Sequence, residues 1–263
     1  MVHAAPPPPQ PIVFVMKSEL WSVHADGTHL RQLTRPPLYA EDPSVSPDRK
    51  RIVYVRFRGG GPYWVKEMNV DGSGDHAVTA ALAGPETEPH DPVMEPHGTT
   101  IAFEQGKEIV ATRGGPPWTL TMSPTVDVAP AWSPDGRMIA FIRLHPDLNS
   151  GDLEVVSSVA GTRIEIPQRI AASIPALTTR LRWAPSGRAV LVEFDEGGYE
   201  SVSTGPGHAK SFHRGPPGIA SPSPDGRWVA YVASVGGGVH VARPDGADAR
   251  LVYDSLFVTS VTW

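Results

Sequence analysis

Acidic side chains, and in one case a histidine, lie at a nearly fixed distance before proline-containing turns in this chain. Five and six residues before the turn proline, the first two copies carry Glu41–Asp42 and His90–Asp91, and Asp127 lies one step further out in the third. Carboxylate oxygens and an imidazole from neighbouring segments could hold a divalent cation, calcium or manganese, or a basic group of a ligand. They could equally be ordinary polar loop residues. The candidate ligand-binding set is Glu41, Asp42, Glu88, His90, Asp91, Asp127 and Arg180.

Within this set, a metal would be held by Asp42, His90, Asp91 and Asp127. Arg180 occupies the corresponding position of the fourth copy, where it could be a counter-ion to the acids or an anchor for a ligand carboxylate. The alternative is an ordinary surface arginine.

Known catalytic motifs are missing from the sequence. It contains no Gly-x-Ser-x-Gly elbow, no phosphate-binding Gly-Lys-Ser/Thr loop, no His-Glu-x-x-His pair and no cysteine. Asp48, Asp135 and Asp225 follow the turn prolines in separate copies, which favours a structural role in the turns over metal binding.

The element that must position these residues is an internal repeat. A proline turn followed by an alternating apolar segment occurs five times, and its prolines are 49, 38, 51 and 39 residues apart. A period near 44 with four short strands per unit is typical of β-propeller blades. The marker residues are Pro47, Pro96, Pro134, Pro185 and Pro224.

The two ends of the chain supply a sixth unit. Residues 12–33 have the pattern of second, third and fourth strands, whereas residues 257–263 match the first strands that end in Trp132 and Trp183. The sequence therefore predicts an all-β fold, a six-bladed β-propeller of four-stranded antiparallel blades with one blade shared by the termini; five or seven blades are the alternatives. Trp132, Trp183 and Trp263 are expected to pack between blades.

Two segments carry a family resemblance. The run Trp-Ser-Pro-Asp-Gly-Arg-x-Ile-Ala-Phe, residues 132–141, and the run over residues 20–34 resemble the TolB-type propeller repeat, and the similarity extends from about residue 11 onward. TolB also has an α/β domain and related peptidases have a hydrolase domain. The resemblance therefore implies a propeller module without its usual companion, or a domain cut from a larger protein.

Composition limits the partners and the setting. A formal net charge of −5 argues against a nucleic-acid groove, and no apolar run is long enough for a membrane helix. Residues 1–11 are predicted to be a disordered proline-rich tail before a single domain over 12–263; Val2-His3-Ala4 could also be the remains of a cleavage site. We expect a monomer, periplasmic or secreted in preference to cytoplasmic.

The function predicted from this reasoning is non-catalytic. TolB uses its propeller to grip a lipoprotein, so the resemblance implies a binding or scaffold module with a peptide, protein or small ligand at the channel mouth. The alternative is an enzyme, either a metal-dependent lyase or hydrolase or a small-molecule cyclase, that uses the acidic and histidine residues in the channel.

Overall fold

The computed structural model describes residues 10–84, 87–122, 124–158, 168–175, 179–194, 198–205, 210–213, 220–223, 225–233 and 237–263. These residues form 24 strands in six four-stranded antiparallel sheets, and no α-helix is present among them. The six-bladed propeller predicted from the repeat is confirmed. In the part of the chain that is described, no helix has the length and apolar character needed to cross a membrane.

Each blade is a simple meander of strands that follow one another in the chain. Blade 1 consists of β4 (Tyr39–Val45), β5 (Arg51–Phe57), β6 (Tyr63–Asn69) and β7 (His76–Ala77). Blade 2 consists of β8 (Pro89–Met94), β9 (Ile101–Gln105), β10 (Glu108–Thr112) and β11 (Trp118–Thr119). Blade 3 consists of β12 (Asp127–Trp132), β13 (Met138–Leu144), β14 (Ser150–Ser157) and β15 (Gln168–Pro175).

The remaining blades complete the ring. Blade 4 consists of β16 (Thr179–Trp183), β17 (Ala189–Phe194), β18 (Tyr199–Ser203) and β19 (Lys210–His213). Blade 5 consists of β20 (Ala220–Pro222), β21 (Val229–Val232), β22 (Val239–Ala242) and β23 (Arg250–Tyr253). The sixth, shared blade has the order β24 (Val258–Thr262), β1 (Pro11–Met16), β2 (Glu19–His24) and β3 (Arg31–Gln32).

The hydrophobic core lies between the blades. Strand β1 is apolar on both faces because each face packs against a different blade: Val13 contacts Tyr54 of blade 1, whereas Phe14 lies in a cluster with Ala230 of blade 5. Strands buried on both faces read as continuous apolar runs. The first strands of all six blades line a central channel.

The Ser-Pro-Asp turns are stabilised by the aspartates themselves. In blade 1 the Ser46 hydroxyl donates to Asp48 Oδ1 over 2.6 Å, and Asp48 Oδ1 accepts the Lys50 amide over 3.1 Å. The same pattern recurs in the turns that contain Asp135 and Asp225. The structural role predicted for these aspartates is confirmed.

The tryptophans that end the first strands join neighbouring blades. Trp132 Nε1 donates to the Val93 carbonyl over 3.2 Å, and Trp183 Nε1 donates to the Ala131 carbonyl over 3.0 Å. Trp132 is 9% exposed, as expected for packing between blades. Trp183 differs from the expectation, since it is only half-buried and its ring borders a cavity in the channel.

The ring closes by pairing the two ends of the described chain. Strand β24 is antiparallel to β1, with Val261 opposite Phe14 and Ser260 opposite Val15. Trp263 Nε1 donates to the Gln10 carbonyl over 3.2 Å. Pro11, placed in the tail by the sequence prediction, is the first residue of β1, and residues 1–9 of the predicted tail lie outside the described residues.

Removal of the closing strand should strongly destabilise the protein. Deleting residues 257–263 leaves β1 paired with β2 alone and removes buried Val258, Val261 and Trp263. Loss of one buried tryptophan side chain alone costs about 3–5 kcal/mol, so we expect thermal unfolding at a much lower temperature, measured by calorimetry. The matched variant Thr259→Ala, exposed on the same strand, should melt like the parent. A truncated protein that also melts like the parent would contradict closure by β24.

Candidate functional site

Three neighbouring first strands carry a β-bulge at the same repeat position. The strand register skips between Glu41 and Ser44 in β4, and equivalent skips occur in β8 and β12. At the skips, Asp42, Asp91 and Ala129 have φ values of 48°, 45° and 56°. Aspartate tolerates this left-handed region better than most residues, and a bulge re-aims the side chain it carries.

The bulges expose amide groups that carboxylates from the preceding blade satisfy. Asp42 Oδ2 of blade 1 accepts a hydrogen bond from the Asp91 amide of blade 2 over 3.3 Å. Glu104 Oε1 of blade 2 accepts one from the Ala129 amide of blade 3 over 2.6 Å. Because a buried amide without a partner is costly, these carboxylates hold adjacent blades in register as well as lining the channel.

Glu41, Asp42 and His90 converge at one end of the channel. Each presents a ligand atom, and the three atoms lie within 4.8 Å of one another. His90 Nδ1 is 3.6 Å from Asp42 Oδ2, and the two side chains are 45% and 30% exposed. We call these three residues the acidic mouth. It presents two carboxyl groups and one imidazole to whatever enters from this side.

The pKa values of the acidic mouth show how crowded its charges are. Burial, followed by the charge of Asp42, raises the pKa of the Glu41 carboxyl to about 7. The Asp42 carboxylate, 3.6 Å away, raises the pKa of His90 to about 9. At neutral pH His90 is therefore an imidazolium, and Glu41 binds a proton part of the time.

A second carboxyl pair lies directly beneath the acidic mouth. Asp91 and Glu104 share a hydrogen bond, and the pKa of each is raised: that of Asp91 by burial and then by Asp42, and that of Glu104 by burial and then by Asp91. Two carboxyl groups so close cannot both ionise without repulsion. One proton is thus retained between them.

Arg180 reaches this region from blade 4. Its guanidinium donates to the carbonyl of Val261 in the shared blade over 3.0 Å, which spans the channel. Its charge favours the ionised form of Asp91. Glu88 lies beside the acidic mouth, where it accepts a hydrogen bond from the Tyr63 hydroxyl and helps to raise the pKa of His90.

Asp127, the fourth residue of the predicted metal set, is engaged elsewhere. Its carboxylate is buried and accepts bonds from Arg143 Nε and Nη2 over 2.9 and 3.0 Å. Arg143 also contacts Glu154 at 2.7 Å. The structure thus brings Glu41, Asp42 and His90 together, with Asp91 below them, and commits Asp127 to an ion pair inside blade 3.

Glu104 was missed by the sequence reasoning, which considered only residues before the turns. It lies on β9, opposite His90 of β8. A signal existed in the repeat. Eight residues after the turn proline, blades 1 and 3 carry the fully buried Val55 and Ile142, whereas blades 2 and 4 carry Glu104 and Glu193. A carboxyl group where sister blades bury an apolar side chain is an informative feature.

The channel widens toward the opposite end. Near the acidic mouth it forms a cavity of about 140 Å³ lined by residues that include Asp42, Asp91 and Arg180. At the end where the Ser-Pro-Asp turns lie it forms a cavity of about 860 Å³, bordered by Trp183 and Trp263. No residue of the larger cavity was predicted as a ligand contact.

No family model matches the chain. It is 33% identical over 142 residues to a TolB homologue of Chlorobium luteolum, a match that covers 50% of this chain and 31% of the relative. The matched region thus spans less than a third of that relative's length.

In fold, the chain is similar to TolB from Acinetobacter baumannii, with a TM-score of 0.71 at 17% identity over 97% of this chain and 66% of the other. It is also similar to oligogalacturonate lyase from Vibrio parahaemolyticus, with a TM-score of 0.60 at 10% identity over 88% and 73% of the two chains. Identities this low show the shared fold alone. Together with the six four-stranded sheets, these likenesses define the class: the chain is a six-bladed β-propeller, similar in fold to TolB.

The raised pKa of Glu41 predicts a pH-dependent stability. The pKa of Glu41 is higher in the folded state than its ordinary value of 4.5, so its contribution to stability is complete below pH 4.5. This contribution is lost as the pH rises through the folded-state pKa of about 7. Glutamine does not ionise, so the Glu41→Gln variant does not lose stability as the pH rises. Its melting temperature should equal that of wild type at pH 4 and exceed it at pH 8. Each kcal/mol appears as about 2–4 °C.

The control for this experiment is Asp254→Asn, an exposed carboxyl outside the cluster, which should not change the pH profile. If the melting temperatures of wild type and Glu41→Gln change in the same way from pH 4 to pH 8, Glu41 ionises at no cost to stability and the prediction is wrong.

Proposed function

We propose that this chain is a non-catalytic binding or scaffold propeller that recognises a basic group of a peptide or protein partner at the acidic mouth. The observation that carries the proposal is the convergence of Glu41, Asp42 and His90 on one point. The TolB likeness supports a protein-binding role in general, and the chemistry of the mouth supports the class of group that is bound.

Proton retention favours a positively charged ligand. Glu41 has a pKa of about 7, and a further proton is held between Asp91 and Glu104, so near neutral pH this end of the channel binds protons to limit its own repulsion. A lysine or arginine side chain that enters would take the place of those protons. Binding should therefore strengthen as the pH rises from 6 toward 8.

A divalent cation competes for the same position on less favourable terms. Manganese accepts carboxylate and imidazole ligands together, whereas calcium takes oxygen ligands. Manganese bound through His90 must displace the proton that Asp42 stabilises there, since the pKa of His90 is about 9. Calcium bound by the two carboxylates would lie beside the positive charge of that imidazolium. A basic side chain can instead bind Asp42 and Glu41 while His90 stays protonated.

The enzymatic alternative lacks a specific observation in its favour. It calls on Asp127 in the channel, and that carboxylate is bound by Arg143. The likeness to oligogalacturonate lyase is one of fold, and it carries no chemistry to this chain.

The likeness to TolB homologues also bears on the cellular location that we propose. We propose a periplasmic or secreted monomer, since the sequence resembles TolB homologues over half its length. With a formal net charge of −5, nucleic acid is not among the partners that we propose.

The test is a titration with matched probes. A pentapeptide Gly-Gly-Lys-Gly-Gly, its norleucine counterpart, MnCl₂ and CaCl₂ are added separately, and the melting temperature and heat of binding are measured at pH 6 and pH 8. The lysine peptide should stabilise the protein, by about 2.7 kcal/mol at a hundred times its dissociation constant. The norleucine peptide should have no effect.

Two variants separate the ligand classes. Asp42→Asn keeps an acceptor for the Asp91 amide and tolerates positive φ, and it should abolish binding of every cationic probe. His90→Gln should abolish manganese binding through the imidazole but preserve or strengthen lysine-peptide binding, because it removes a positive charge. If wild type responds to none of the probes by thermal shift or heat, the proposed function is wrong.

A further inference from the structure

The wide end of the channel contains an unusual arginine. In the turns of blades 3, 4 and 5, the second residue after the turn proline is a glycine with φ between 66° and 70°. These residues are Gly136, Gly187 and Gly226. In blade 1 the same position is Arg49, with φ of 61°. Its amide makes the same turn hydrogen bond, to the Ser46 carbonyl over 2.8 Å.

This position carries backbone strain that glycine would avoid. A long side chain at positive φ is uncommon, and the strain persists only where the surroundings hold it. The turn itself does not require arginine, because three sister turns form with glycine. The side chain therefore calls for a separate explanation.

Arg49 lines the larger cavity, and none of the described residues is a partner of its guanidinium. It is half-buried, and it forms no hydrogen bond or ion pair with any described residue. Burial, and then the positive charge of Arg182 in blade 4, lowers the pKa of Arg49. A cation that is partly withdrawn from water and faces a second cation is costly unless an anion joins it.

The other charges of this cavity are already satisfied. Arg182 Nε donates to Glu193 Oε1 over 2.6 Å. The carboxylates of Asp48 and Asp225 are held by serine hydroxyls and backbone amides of their own turns. Arg49 is thus the charged group, among the described residues that line this end, left available to a ligand.

The rest of the wall is suited to an apolar body. Indole rings and aliphatic or proline side chains surround the opening, and a volume of about 860 Å³ falls within the range of small-molecule sites. The lining includes Trp183, Trp263, Leu181, Met94, Pro96 and Pro185.

We propose that the wide end of the channel is a second binding site, distinct from the acidic mouth, which takes an organic carboxylate with an aromatic or aliphatic body. The carboxylate pairs with the Arg49 guanidinium and lies toward Arg182, while the apolar body packs against the rings of Trp183 and Trp263. The two ends of the channel then have opposite charge preferences.

The test compares a carboxylate with its neutral isostere. Binding of 1-naphthaleneacetate and of 1-naphthaleneacetamide is measured by calorimetry. Wild type should bind the carboxylate at least about tenfold more tightly, which corresponds to about 1.4 kcal/mol. Arg49→Gly restores the residue of the sister turns, so it should fold at least as stably while the two ligands become equal in affinity.

Three further variants serve as controls. Arg49→Lys keeps the charge and should retain most of the preference. Arg137→Gln removes an exposed arginine from the blade 3 turn, and Asp254→Asn removes an exposed carboxyl away from the cavity; both should bind the carboxylate as wild type does. Equal affinities for the acid and the amide in wild type, or no carboxylate binding up to about 5 mM, would overturn the proposal. So would an unchanged preference in Arg49→Gly.

Discussion

Antiparallel pairing of β24 with β1 is the interaction on which the rest of this propeller depends. It joins the two ends of the described chain within one blade and gives that blade the same four strands as the other five. Only in a closed ring do the six first strands face one channel. Residues far apart in sequence, such as Arg180 and Val261, then contact each other across it.

The bulges of blades 1 to 3 turn this scaffold into a charged channel. A regular strand would alternate its side chains between the two faces of the blade, whereas the left-handed residue at each bulge changes which side chains face the channel. The freed amides take carboxylate acceptors from the preceding blade, as Asp42 does for Asp91. Packing between blades and the chemistry of the mouth therefore rest on the same groups.

The sequence was sufficient for the architecture because turn chemistry is local. The Pro-Asp-Gly pattern recurs with its hydrogen-bonding serine, and the missing first strand of the N-terminal unit pointed to the C-terminal segment. Position in the repeat also placed Glu41, Asp42 and His90 together. The contacts of Asp127 and Glu104 were harder to predict, because they depend on which residue of the neighbouring strand lies opposite each carboxyl group.

The pairing of Asp42 with His90 sets the charge of the acidic mouth. The most direct measurement is an NMR titration of the His90 ring in wild type and in Asp42→Asn. We expect a wild-type midpoint near 9 that falls toward the ordinary value of 6.5 in the variant. A wild-type midpoint already at 6.5, unchanged by the substitution, would contradict the account.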